Sequence, residues 1–418
     1  MRLTVALSLI LKCVGAALAM AFNWGVARLY GPLGSGLYGI TQTSIVLLGT
    51  AAMGGLDYVV LRGVATNLKA DEPGQARSLV KTIFSAGMAV ALVVSFLILI
   101  LHNPAARWLG NASMGPMLAV AAPAAFGLAG MRLSSFALRG AGNVLLSQAM
   151  EGAITSLLTV LMLVIVWRLP NLPPVWSIGV IYSISLLGAA SIGFAAYARL
   201  SKSWPKGGRV PLWPLYAMGL PTLGTVVTNQ STEWISLTTT SMFYSTEAAG
   251  KLRVALQIMV VCNLILASFE GIIGPQVAAA WSVGDRAGIS RISRQAILGT
   301  VGLTMPLFLV VAFAPNWILG LFSHDFSSAA TALRIIAFGY FIALLGGPSG
   351  MILLMCGGER GSLAYSLAST VLMLGLCVWL VPKYGVNGGA ITFAIVMIFR
   401  RIMSGLLVRF GLKIKIFA

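Results

Sequence analysis

An unusually polar stretch, residues 222–241, lies inside a segment long enough to cross a membrane. Thirteen of its twenty residues are polar. Glu233 shares one helical face, at spacings of three and four residues, with Asn229, Ser236 and Thr240. Lipid offers no hydrogen-bond partners, so such a helix is stable at membrane depth when it lines a water-filled or ligand-filled cavity, which indicates transport. The alternative is that its hydroxyl groups bond to the preceding turn and hold helices together.

Among the basic residues within or at the edges of the apolar segments, six are candidates for the substrate site: Lys12, Arg28, Arg62, Arg253, Arg334 and Arg400. A guanidinium holds phosphate oxygens with two hydrogen bonds, and a lysine supplies a point charge, so the set suits an anionic substrate such as a diphosphate. With Asn229 and Glu233 these six form the predicted substrate-binding set. For Arg28, Arg253 and Arg334 the alternative is that they extend to the outer headgroups. Lys12 lies about 15 Å along its helix from Arg2, so its side chain cannot easily extend to the lipid headgroups. This depth favours a position in the cavity.

Four acidic residues fall in the apolar segments: Asp57, Glu151, Glu233 and Glu270. We expect Glu151 to pair with Arg139 or Arg132, and Asp57 and Glu270 to be charges at the cytoplasmic edge. Glu233, near the middle of its helix, is the candidate for ion coupling. The sequence has no Walker lysine, no nucleophile–base arrangement and no metal-ligand spacing, and it predicts a transporter that needs no cofactor or metal rather than an enzyme.

The composition excludes a soluble globular protein. Of the 418 residues, 58% are hydrophobic and 9% are charged, with a mean hydropathy of +0.93. The net charge of +18 reflects basic loops, which are typical of the cytoplasmic side of a membrane protein, rather than nucleic-acid binding. The four cysteines are widely spaced, so we expect free thiols.

Gly, Pro and charged residues divide the chain into twelve apolar segments, predicted as an all-α polytopic bundle. These are 3–28, 37–64, 82–102, 116–138, 144–167, 175–197, 213–243, 251–280, 296–314, 330–356, 362–382 and 388–408. Basic residues concentrate in alternate connections, which places both termini in the cytoplasm. Within the tenth segment, residues 346–350 (GGPSG) remove a backbone donor and side-chain constraint, which predicts more bending of this half of the chain during transport. The alternative is a static kink.

The basic connection 199–212 divides the segments into two lobes of six, 1–198 and 213–418. Gly36 and Gly250 occupy similar places after the first segment of each lobe. The stretches LRGAGN (138–143) and MCGGER (355–360) both follow a fourth segment. These matches indicate a parallel repeat.

Three stretches carry a resemblance to a known family: ARLYGPLGSGLYG (27–39), GLPTLGTVV (219–227) and VPKYGVNGGA (381–390). They resemble Wzx-type oligosaccharide flippases of the multidrug/oligosaccharidyl-lipid/polysaccharide (MOP) exporter superfamily. Where those relatives often carry Asp in helix seven and Gly-Leu-Tyr in helix eight, this chain has Glu233 and residues 250–252 (GKL).

The resemblance implies a MATE-like fold, in which two six-helix lobes surround a central cavity. It implies alternating access without ATP, moving undecaprenyl-diphosphate-linked oligosaccharide between leaflets of the bacterial cytoplasmic membrane for polysaccharide, O-antigen or capsule assembly. A polysaccharide polymerase and co-polymerase would be partners of a monomeric flippase in the lipid bilayer.

The main alternative is a cation-coupled multidrug exporter of the same superfamily, which would bind cations through acids and aromatic rings. Six basic residues against four acidic ones favour an anionic substrate. A scramblase or a structural membrane subunit would not require the polar stretch 222–241.

Overall fold

The computed structural model of the chain describes residues 2–208 and 210–414, without the side chains of residues 2–6, 9, 221 and 275. The prediction that both termini lie in the cytoplasm concerns, in part, residues 1 and 415–418, which lie outside the described residues. The described residues form helices and their connections, with no strand among them. The predicted all-α polytopic fold is confirmed.

The chain forms two compact units. The first comprises Met1–Tyr30 and Leu37–Gln230, and the second comprises Gly31–Gly36 and Ser231–Ala418. The lobe boundaries expected from the sequence, 1–198 and 213–418, stay a prediction.

The first unit is built mainly from eight helices. They are α1 (Arg2–Met53), α2 (Leu56–Lys69), α3 (Pro73–Trp108), α4 (Met114–Ala121), α5 (Pro123–Gly140), α6 (Val144–Gln148), α7 (Thr155–Trp167) and α8 (Ser177–Leu200). A π-helical turn, Ala149–Ile154, joins α6 to α7. Thirteen of the eighteen residues of α5 are buried, which makes α5 the central helix of this unit. Small residues such as Gly127 allow α8 to approach α5 closely.

The second unit begins inside α9 (Leu212–Phe243) and continues through seven further helices. They are α10 (Thr246–Ser282), α11 (Arg286–Phe313), α12 (Pro315–Gly320), α13 (Ala330–Leu345), α14 (Ser349–Met355), α15 (Glu359–Tyr384) and α16 (Val386–Leu406). Ser245 and Asp285 begin α10 and α11 as side-chain caps, accepting hydrogen bonds from backbone N–H groups three residues later. The α13 and α16 helices meet closely at Gly339 and Ala394.

Ten helices among the described residues are long and apolar enough to cross a membrane. The first, Ile10–Met53, is 44 residues long and contains parts of two predicted spans. Its two parts are separated at Gly31, where the backbone is non-helical, with φ 63° and ψ −161°. The α9 helix, which contains the polar stretch, is not among the ten.

Two predicted segments contain breaks. The segment 37–64 was expected to be one helix, but α1 ends at Met53 and α2 begins at Leu56, because Gly54 and Gly55 both adopt positive φ. The tenth segment is interrupted as well, since α13 ends at Leu345 and α14 begins at Ser349, while bending there during transport stays a prediction.

Gly36 and Gly250, matched in the sequence as repeat positions, lie against each other's helices within the second unit. A Cβ atom on Gly36 would lie 2.0 Å from the carbonyl oxygen of Thr246. One on Gly250 would lie 1.8 Å from the carbonyl oxygen of Pro32. Any side chain at either position would overlap backbone, so both glycines are needed for this contact.

Candidate functional site

The centre of the candidate site in the second unit is an ion pair between Glu233 and Arg253. These residues lie on α9 and α10, consecutive helices joined by a short connection, so that positions before and after the turn face one another. The Arg253 guanidinium donates a 2.5 Å hydrogen bond to the Glu233 carboxylate. The arginine side chain is 6% exposed and the glutamate side chain 41%. Arg253 is therefore buried and charge-compensated rather than extended to the headgroups.

The polar face of α9 is divided between buried and accessible positions. Ser236 and Thr240 are fully buried, and the Thr240 hydroxyl donates to the Ser236 carbonyl oxygen at 2.7 Å. Asn229 is exposed and belongs to the first unit. The Thr240 hydroxyl thus has the structural role that the alternative interpretation gives it, whereas the buried Ser236 hydroxyl has no hydrogen-bond partner among the described residues. The accessible polar side chains of this face are Asn229 and Glu233.

Two adjacent arginines near the end of α16 have different partners. Arg400 donates from Nε to the Ser369 hydroxyl oxygen at 2.7 Å. Arg401 donates to the carbonyl oxygen of Gly347 at 2.5 Å. Arg401 was not singled out in the sequence. The break at Gly347 exposes the carbonyl that it binds, and this contact could not be read from helix periodicity.

Arg334, the remaining basic residue of the predicted set in the second unit, is exposed near the start of α13. It lines a groove with aromatic residues that include Phe308 and Phe341. Its Nε donates to the carbonyl oxygen of Ala312 at 3.1 Å.

In the first unit, Asp57 forms a buried ion pair that the sequence did not predict. Arg132 on α5 donates to the Asp57 carboxylate at 2.8 Å and to the Thr50 hydroxyl at 3.2 Å. The Asp57 side chain is 4% exposed. Asp57, which was expected to be a charge at the cytoplasmic edge, is therefore buried within the first unit and paired with Arg132.

A second pair continues this network. Of the two partners expected for Glu151, the structure pairs it with Arg139, at 2.7 Å. The guanidinium groups of Arg132 and Arg139 lie 5.7 and 4.9 Å from the centre of the Phe136 ring. Both guanidinium groups are close enough to the ring for a cation–π attraction.

Lys12, Arg28 and Arg62 are exposed residues of the first unit. Among the described residues, none of the three forms an ion pair with an acid. Lys12 and Arg28 lie sixteen residues apart in α1, which corresponds to about 24 Å along the helix. The two cations are too far apart to hold the same phosphate group. Arg62 lies on α2, beyond the break at Gly54 and Gly55.

The residues that the structure describes contain no group of three or more His, Cys, Asp or Glu side chains that could hold a metal ion.

No protein-family model and no curated protein sequence matches the chain. Several solved structures, however, match the chain. An inward-facing multidrug resistance MATE family transporter of the MOP superfamily matches with a TM-score of 0.77 and 16% identity, covering 98% of both chains. The chain has the MOP-superfamily fold.

Two further structures of this fold have different described activities. The lipid II flippase MurJ, in an inward closed conformation, matches with a TM-score of 0.75 and 14% identity, over 98% of this chain and 87% of that one. A MOP superfamily transporter from Pyrococcus furiosus, described as having a binding pocket of reverse polarity, matches with a TM-score of 0.65 and 15% identity, over 98% and 95%. At these identities the likeness establishes the fold alone.

Proposed function

We propose that the chain is a transporter that flips an undecaprenyl-diphosphate-linked oligosaccharide from the inner to the outer leaflet of a bacterial cytoplasmic membrane. It works by alternating access and without ATP. The fold supports transport, because its solved examples include MATE exporters and a lipid II flippase. The polysaccharide polymerase and co-polymerase, the monomeric state and the cytoplasmic termini belong to the same proposal.

The observation that carries the proposal is that three of the four intramembrane acids already have arginine partners. Asp57 and Glu151 are paired in the first unit, and Glu233 is paired in the second. Among the described residues, Glu270 forms no ion pair. A carboxylate whose charge is compensated by a neighbouring arginine attracts an organic cation weakly. The internal pairs therefore disfavour a cationic substrate.

After these pairs are formed, positive charge remains in the first unit at Lys12, Arg28 and Arg62. Exposed cations along membrane helices suit the phosphates of an anionic lipid. Because Lys12 and Arg28 are about 24 Å apart along α1, they would act at different stages of transport. Lys12 would bind the diphosphate first, and Arg28 would bind it near the outer end of the helix.

In the second unit, Glu233 and Arg400 complete the proposed set. The accessible part of the Glu233 carboxylate can accept hydrogen bonds from sugar hydroxyls, and Asn229, which belongs to the first unit, offers the same kind of contact there. Arg253 holds the carboxylate in place rather than contacting the diphosphate, because it is buried against that group.

The multidrug exporter remains the second candidate, and one observation favours it. The Glu233 side chain is 41% exposed although Arg253 is buried, so a proton or a cation has access to the carboxylate. In that case, Glu233 would couple ion movement to drug export.

Reconstitution tests the two functions directly. Proteoliposomes would contain either a fluorescent undecaprenyl-diphosphate oligosaccharide, read by a membrane-impermeant quencher, or a fluorescent lipophilic cation. The flippase proposal expects protein-dependent movement of the lipid and no accumulation of the cation. Gradient-driven cation transport without lipid movement would contradict it.

A further inference from the structure

The groove that contains Arg334 lies between α11 and α13, within the second unit. Its volume is about 440 Å³, and every lining residue except Arg334 is apolar. Three phenylalanine rings, those of Phe308, Phe338 and Phe341, contribute to the lining. This volume falls within the usual range of about 300–1,000 Å³ for small-ligand sites. The groove therefore has the size and chemistry to hold a hydrocarbon chain.

The guanidinium at the margin of the groove is anchored by one bond. Arg334 donates from Nε to the carbonyl oxygen of Ala312, which is one of the last four residues of α11. Such carbonyls have no partner within their own helix, so the arginine satisfies one of them. A guanidinium carries five N–H donors, and this bond uses one. Among the described residues, no acid forms an ion pair with Arg334.

The position of the groove along α11 matches a lipid headgroup region. The basic residues Arg286, Arg291 and Arg294 lie at the beginning of the helix. Ala312 lies twenty-six residues after Arg286, or about 39 Å at the standard helical rise. A bilayer including its headgroups is about 40–45 Å thick. By this length the groove falls at the membrane surface opposite the basic beginning of α11, where lipid phosphate groups are present.

We propose that this groove binds an anionic phospholipid of the phosphatidylglycerol type. Its phosphodiester contacts the Arg334 guanidinium, and one acyl chain lies along Phe308 and Phe338. A single cation complements the single negative charge of this headgroup. A diphosphate carrier would place at least two charges beside one guanidinium. The inference assigns Arg334 to a lipid site rather than to the transported substrate, and it does not depend on what the protein transports.

The test uses the full chain in phosphatidylcholine nanodiscs that contain a photoactivatable lipid with a diazirine on its acyl chain. Phosphatidylglycerol and phosphatidylcholine probes are compared, and adducts are mapped by mass spectrometry. We expect the phosphatidylglycerol probe to label residues 305–312 and 334–341 preferentially. Arg334→Gln should reduce that preference about tenfold, as expected for the loss of a charge-assisted hydrogen bond. Arg107→Gln, which changes an exposed arginine at the end of α3, should leave it unchanged.

A second variant tests the apolar part while keeping the charge. Ala312 is exposed and lines the groove, and its backbone oxygen anchors Arg334 whatever its side chain. Ala312→Trp should fill the groove and lower labelling by both probes at least several-fold. Equal labelling by the two probes, an unchanged preference in Arg334→Gln, or unchanged labelling in Ala312→Trp would each overturn the proposal. So would displacement of the probe by undecaprenyl phosphate more readily than by unlabelled phosphatidylglycerol, because the groove would then hold the carrier lipid.

Discussion

The Arg253 guanidinium lies 2.5 Å from the Glu233 carboxylate, across the connection between α9 and α10. The two partners differ in their surroundings, because the arginine is buried while the glutamate is partly accessible. A buried charge that loses its counter-charge is strongly destabilising, even where the pair itself contributes little net stability. The arginine therefore depends on the glutamate more than the glutamate depends on the arginine.

This asymmetry predicts a non-additive pair of substitutions. Glu233→Gln should lower the melting temperature of the purified protein more than Arg253→Gln does. The double variant should lie closer to wild type than the sum of the two single changes, with a coupling of about 0.5–3 kcal/mol. Thermal unfolding of the four proteins in one detergent measures this. Glu247→Gln, which changes an exposed acid in the first turn of α10, serves as the control. Strict additivity would contradict the prediction.

The close contact of Gly36 and Gly250 predicts a sharp dependence on side-chain size. Gly36→Ala or Gly250→Ala would place a Cβ atom about 2 Å from a backbone carbonyl oxygen, and neither backbone can move away without disturbing its helix. We expect both variants to give little folded protein in gel filtration. Gly302→Ala in α11 is a matched control, because its added Cβ would meet nothing within 4 Å. Normal yields of all three variants would show that the contact is not required.

The all-α fold could be predicted from the sequence because long apolar segments with Gly and Pro between them have few alternatives in a membrane. The breaks were less predictable. The connection expected between the segments 3–28 and 37–64 contains one non-helical residue, Gly31, because Pro32 readily begins the next helical part. The helix expected over 37–64 ends early because Gly54 and Gly55 adopt left-handed conformations.

The ion pairs show what sequence periodicity cannot supply. Glu151 and Arg139 lie twelve residues apart on neighbouring helices, and their pairing was one of two expected choices. Asp57 and Arg132 lie 75 residues apart, so only the packing of α2 against α5 reveals their contact. The pairing of Glu233 with Arg253 could have been predicted from the sequence, because the two residues lie at similar distances on either side of the short connection between α9 and α10. Residues placed in this way face each other in a helical hairpin.

Removal of the exposed charge at Lys12 tests the proposed anion site. Lys12→Ala should abolish surface glycan export while membrane insertion continues, and Lys12→Arg should retain part of it because a cation remains. Arg28→Ala should have the same effect as Lys12→Ala. Export is measured by surface glycan labelling at matched protein levels. Lys202→Ala, which changes a lysine in the basic connection, is the control. Full export by the two helix variants would refute the anion site.

The last prediction concerns the energy source. Outward movement of an anionic carrier from a negative interior is favoured by about 2.3 kcal/mol for each charge at 100 mV. Two uncompensated charges crossing about 150 mV would release roughly 7 kcal/mol, enough to bias transport without ATP. Cations that travel with the substrate would cancel this energy. A proton or sodium gradient would then be required, with Glu233 as the coupling residue.

A potassium–valinomycin potential, applied to proteoliposomes without a pH or sodium gradient, separates the two energy sources. It should accelerate flipping if net charge movement drives transport. Indifference to the potential, together with a gradient response that is lost in Glu233→Gln, would favour ion coupling instead. Because Glu233→Gln also leaves Arg253 without its counter-charge, the double variant Glu233→Gln/Arg253→Gln must be measured beside it. A gradient response restored in the double variant would show that the single change acted through the buried arginine, and it would exclude Glu233 as the coupling residue.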